Sequence, residues 1–189
     1  GKRTRLLRYL SDKGIRNDAD PVFMAEIGWR GTIQDNLSYI MPDKPIHGRY
    51  FGLLNYLNEQ LPNAIKKSYG PNGNERYDET IFPILFGCVF EMLANTDRGS
   101  VSDYSVDDES VSPVIHHNEK EDDHFRSYTR YFQMGVLASI ETISRNINQH
   151  AVSSYELRRF FMKEIDELIT DPPEVLAEIF KCFHHNESF

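Results

Sequence analysis

Between residues 123 and 150, apolar side chains recur at steps of three and four: Phe125, Tyr128, Phe132, Val136, Ile140, Ile143 and Ile147. That is the period of one face of an α-helix, and it predicts a long amphipathic helix with the stripe turned inward. Shorter helical patterns flank it. Leu6, Leu7 and Leu10 predict a helix from Arg3 to Lys13, ended by Gly14. Asp20-Pro21 has the form of a helix start and leads into Phe23, Met24, Ile27 and Trp29, read as one or two short helices interrupted by Gly28 and Gly31. Tyr50, Leu53, Leu54 and Leu57 predict a helix over about 47–60, broken at Pro62. A loop follows at 70–74, then a buried helix over 78–94 that Pro83 kinks or delays. Ser153 and Glu156 have capping-box spacing and open a helix to Thr170, and Asp171-Pro172-Pro173 opens the last, which runs to His184. With no strand pattern in competition, the expectation is all-α: one domain over 1–189, a bundle of five to seven helices.

Polar residues break this periodicity in one place. Residues 96–122 are rich in Asp, Ser, Asn and Glu and read as a long mobile acidic loop. The formal net charge of −8 is concentrated there, since residues 103–123 alone carry −7. The rest of the chain is close to neutral, which leaves Lys2, Arg3, Arg5 and Arg8, and a second cluster of Arg158, Arg159 and Lys163, free to face a phosphate backbone or to form ordinary solvated helix faces. The acidic segment 103–123 is itself a candidate surface for a basic protein partner, as in an immunity, inhibitor or scaffold domain.

Composition removes several classes. A hydrophobic content of 40% with 12% aromatics is enough for a sizeable core. The longest uncharged apolar stretch, 80–90, is about half of what a bilayer-spanning helix needs, and no secretory leader is evident, so a soluble, cytoplasmic protein is expected. Cys88 and Cys182 sit in apolar runs without paired spacing and read as small buried side chains. His116, His117, Glu119, Glu121, Asp122, Asp123 and His124 supply donors for a divalent metal, but without organising helix spacing they read as a solvated loop. Glycine-rich phosphate loops, nucleophile elbows and dinucleotide fingerprints are lacking.

One short motif carries chemistry. Arg145-Asn146-Ile147-Asn148-Gln149-His150 ends the long helix just before the next begins. It resembles the Arg-polar-x-x-x-His signature of the HEPN superfamily, helical-bundle proteins that include many metal-independent ribonucleases. The resemblance implies RNA cleavage by attack of the ribose 2′-hydroxyl, without cofactor or metal, and by analogy a toxin or defence effector. Arg145 would stabilise charge on the phosphate, His150 would exchange the proton, and Asn146 would orient one of them. Glu141, one turn earlier, is placed to hold Arg145. Some family members have a Tyr two residues after the His; here that position is Val152, and Tyr155 is the nearest replacement. Since the chain holds one copy of the motif, the resemblance implies a homodimer or a second HEPN unit.

Overall fold

A computed structural model describes residues 1–75, 88–107 and 110–182 of the chain. They divide into two compact units, one comprising Gly1–Ile84 with Ser100–His116 and the other Leu85–Gly99 with His117–Phe189. The expected all-α bundle is not what forms. The first unit is built on a parallel sheet and a hairpin, and the protein is mixed α/β.

The sheet comprises β1 (Val22–Glu26), β2 (Ile46–Tyr50) and β3 (Ala64–Ser68), in that order, with both pairs parallel. The expected helices over residues 23–29 and 47–60 are therefore corrected to strands followed by irregular chain. Their apolar spacing is compatible with a helix, but the backbone is extended in the strands, where successive side chains point to opposite faces, and Leu53, Leu54 and Leu57 fall in the irregular chain after β2. Register sorts one face into three rows across the sheet: Val22, Ile46 and Ala64; then Met24, Gly48 and Lys66; then Glu26, Tyr50 and Ser68. This face is apolar at the amino ends of the strands and polar at the carboxyl ends.

Helix α2 (Thr32–Ile40) connects β1 to β2 and packs on the same face. It turns Gln34, Asp35 and Ser38 inward, while Ile33 stays 57% exposed. Gln34 reaches the sheet because the middle row has a gap at Gly48: a Cβ there would lie 2.0 Å from the Gln34 Oε1 and 2.5 Å from the Tyr50 ring. Gly48→Ala is therefore expected to expel the Gln34 amide and to destabilise the unit by roughly 1–3 kcal/mol, read as a lower urea midpoint. At the far end of α2 the Asn63 amide donates at 3.0–3.1 Å to the carbonyls of Ser38 in the last turn, of Met41 at the C-cap and of Lys44 in the loop beyond.

Helix α1 (Lys2–Asp12) forms as its leucine spacing predicts, and Gly14 follows it with φ 85°. It lies against β4 (Ser100–Val106) and β5 (Val111–His116), an antiparallel pair. The expectation of a long mobile acidic loop over 96–122 is thus corrected: most of it is this hairpin. The Tyr9 and Tyr104 rings meet at a tilt with centroids 5.1 Å apart, and Arg5 donates to Asp103 at 2.7 Å. A charge that looked like part of a solvated run is neutralised by the first helix.

The described residues of the second unit are helical: α3 (Cys88–Leu93), α4 (Glu119–His124), a π-helical turn (Phe125–Thr129), α5 (Arg130–Gln149), α6 (Ser154–Thr170) and α7 (Glu174–Cys182). α3 falls within the helix expected over 78–94; the part before residue 88, and the expected end at His184, lie outside the described residues, as do the side chains of Cys88 and Cys182. α6 begins with the full capping box of Ser153 and Glu156. Among the described residues the apolar stripe of the long helix is only half covered, with Tyr128, Phe132, Val136, Ile140 and Ile143 between 44% and 54% exposed. Contact with α3 is instead polar. Gln133 donates at 2.9 Å to the carbonyls of both Leu93 and Asn95, and Thr129 donates to that of Met92 at 3.3 Å.

Candidate functional site

The polar carboxyl end of the parallel sheet is where the most chemistry is concentrated. At its centre Lys66, in β3, forms an ion pair with Asp35 in the first turn of α2, at 2.5 Å, with the two side chains only 2% and 5% exposed. The remaining contacts of the pair are polar and aromatic. The Lys66 ammonium lies 4.4 Å from the centre of the Tyr56 ring and donates to the Arg30 carbonyl at 3.5 Å, and the Asn58 amide donates to the second Asp35 oxygen at 3.4 Å. Gly31, which caps α2 in the left-handed region at φ 67°, admits this arrangement, since a Cβ there would come within 3.0 Å of the Lys66 side chain.

Beside the pair runs a second chain of contacts. Gln34 donates from its amide nitrogen to the carbonyls of Ile46 at 2.7 Å and Ile65 at 3.2 Å, which fixes the orientation of the amide. Its oxygen accepts from the Tyr50 hydroxyl at 2.8 Å. Burial raises the Tyr50 phenol above its ordinary value, with the nearby Glu26 carboxylate acting in the same direction, so the phenol stays protonated.

Glu26, the last residue of β1, adjoins Tyr50 in register. Burial raises its carboxyl above the ordinary glutamate value, opposed by the neighbouring Tyr50 hydroxyl and by the Lys66 charge. Its Oε2 is buried without a hydrogen-bond partner. Tyr50 has one proton for two acceptors, Gln34 and an ionised Glu26. Protonation of Glu26 removes that competition, which adds a hydrogen-bonding reason to the electrostatic one.

None of these residues was singled out by the sequence. One signal was present, the apolar run Val22–Ala25 closed by an acid, then Gly28 and Gly31 ahead of a helix. Strand, glycine-bearing turn and helix in that order form the first half of a βαβ unit.

The motif residues sit elsewhere, on the second unit. Arg145, 65% exposed, donates to Glu141 at 3.3 Å, the pairing its spacing suggests. His150 follows the last residue of α5, is exposed, and donates from its backbone to the Asn146 carbonyl at 3.0 Å. Five helical positions place Arg145 and His150 about 140° apart around an axis, so a single copy does not aim both at one point. Asn146 and Arg159 are exposed, Tyr155 is 78% exposed, Arg158 is half-buried, and Lys163 pairs with Glu167 at 2.9 Å.

The acidic segment is not one free patch. Asp103 is tied to Arg5, and Asp122 is buried with its carboxylate 3.1 Å from His117. Asp123 pairs with Arg126, Asp107 is exposed, and residues 108 and 109 lie outside the description. Among the described residues no group of three or more His, Cys, Asp or Glu converges as a metal site, and no helix is long and apolar enough to cross a membrane. No protein-family model and no curated protein matches this chain.

Proposed function

We propose that the first unit binds a small polar molecule at the carboxyl end of its parallel sheet and exchanges a proton with it through Glu26. Open α/β sheets take ligands in the crevice outside the carboxyl ends of their strands. The observation that carries the reading is the Glu26 carboxyl, raised by burial and with one oxygen unpartnered, at that edge. A carboxyl raised above its ordinary range by its surroundings is better suited to give or take a proton than an exposed one. Tyr50 and Gln34 fix its neighbourhood, and the Asp35–Lys66 pair supplies a rigid, electrically balanced wall.

A panel of small polar metabolites screened by thermal shift tests the proposal. At least one compound is expected to raise the melting temperature of the wild-type chain and to lose that effect in Glu26→Gln. If no compound does so, or if the variant responds as wild type does, Glu26 is not a ligand-binding group.

A second reading keeps RNA cleavage at Arg145 and His150. It is favoured by the Glu141–Arg145 pair, which presents an exposed guanidinium one turn from the helix end. Because one copy does not aim both side chains together, the reaction needs a facing second copy, and the exposed apolar stripe of α5 is a surface through which copies could meet. Cleavage of a mixed RNA substrate in EDTA is expected to fall at least about 100-fold in His150→Ala, the contribution expected of a general acid or base. Wild-type protein that cleaves nothing, or a variant as active as wild type, removes this reading.

A further inference from the structure

The parallel sheet has a second face, opposite α2. Register places Phe23, His47 and Ile65 across it in one row, and Ala25, Arg49 and Lys67 in the next row toward the carboxyl ends. Phe23 is 68% exposed, Ile65 is 38% exposed, and Ala25, Arg49 and Lys67 are exposed as well. The Phe23 and His47 rings lie 5.0 Å apart, so a ring contact links β1 to β2 along this row. Parallel sheets are almost always covered on both faces, because the connections that make them parallel also bring helices to each side. Here one face carries α2 and, among the described residues, the other is open at its apolar row.

Charge indicates what would cover it. The six residues of this face include Arg49 and Lys67 and no acid, and neither cation forms an ion pair among the described residues. An apolar row at the amino ends and a cationic row at the carboxyl ends form a template with one orientation. A helix lying antiparallel to the strands, as crossover helices do, would set its first turn over Arg49 and Lys67 and its apolar stripe over Phe23 and Ile65. Acidic side chains are favourable in a helix's first turn in any case.

We propose that this face docks an amphipathic helix of another protein, with acidic residues in its first turn and an apolar stripe beyond them. The test uses two synthetic helical peptides of about 15 residues, long enough to form when docked. Both carry a leucine stripe; one has glutamates in its first turn and the other has lysines there. Bound to the full chain, the glutamate peptide is expected to shift the amide resonances of Phe23, Ala25, His47, Arg49, Ile65 and Lys67. Arg49→Glu and Lys67→Glu, both at exposed positions, are each expected to weaken it roughly tenfold by charge repulsion. Phe23→Ser is expected to weaken both peptides while leaving the preference for glutamate intact. Equal binding of the two peptides, or no binding of the glutamate peptide at about 1 mM, a concentration that detects even weak complexes, overturns the proposal. So does protection of the Phe23 and His47 side chains from hydroxyl-radical labelling in the chain alone, whether in the monomer or through a concentration-dependent dimer.

Discussion

Asp35→Ala is expected to destabilise the first unit by about 3–5 kcal/mol, because it leaves the Lys66 ammonium buried without its counter-charge. The size follows from burial. Both side chains are almost wholly withdrawn from water, so solvent cannot take over the role of the lost carboxylate. An exposed pair such as Arg145 with Glu141 has water as a substitute, and its loss is worth less than about 1 kcal/mol. Urea unfolding followed by the fluorescence of Trp29, which lies in the first unit, measures the effect. The double variant Asp35→Ala with Lys66→Met is expected to regain most of the loss, since an apolar side chain in place of the stranded ammonium removes the buried charge. An unchanged midpoint in the single variant, or no recovery in the double, means that water reaches Lys66.

Glu26→Gln is expected to cost function while making the fold more stable at neutral and higher pH. The Glu26 carboxyl is raised above its ordinary value in the folded state, so folding favours its protonated form. Its contribution is fully present below the ordinary glutamate value of about 4.3 and is lost as pH rises through the raised folded value. Above that value an ionised carboxyl must be held partly buried. Glutamine has no such cost, so the stability of the variant relative to wild type should grow from pH 4 toward pH 8.

The comparison must be a difference between the two proteins, because other groups titrate in the opposite sense in both. Asp18 is held low mainly by Lys44, Asp103 by the Tyr104 backbone and Arg5, and Glu156 by Ser153. Their stabilisation is lost as pH falls in wild type and variant alike. Urea midpoints at pH 4 and pH 8 measure the difference. A variant less stable than wild type at pH 8 would mean that Glu26 is an ordinary structural carboxylate.

Greater stability combined with lost ligand response is the signature of a group kept for function, because buried polar groups that destabilise the fold persist where chemistry requires them. The same principle explains why the site was hidden from sequence patterns. α2 buries Gln34, Asp35 and Ser38 and exposes Ile33 and Tyr39. A hydrophobic wheel drawn on this helix therefore points the wrong way. Its inward face becomes acceptable only when Ile46, Ile65, Tyr50 and Lys66 arrive from strands distant in sequence to satisfy it. The strands of the parallel sheet are five residues each, and β3, Ala64-Ile65-Lys66-Lys67-Ser68, has two lysines that face opposite ways: Lys66 is buried in an ion pair and Lys67 is in water.

What the sequence determined by itself was local. α1, α5, α6 and α7 follow from leucine and isoleucine spacing, a terminal glycine, a capping box and an Asp-Pro start, each acting within a few residues. Hydrogen bonds within a helix join near neighbours, so the evidence for them lies close together in the chain. Tertiary structure decided the rest. The parallel sheet pairs residues on different segments, the 100–116 hairpin is neutralised in part by Arg5 at the far end of the chain, and the site draws Glu26, Gln34, Asp35, Tyr50 and Lys66 from both sides of a crossover. It decided, too, that the apolar stripe of α5 is about half exposed, since periodicity fixes which side of a helix is apolar but not what meets it.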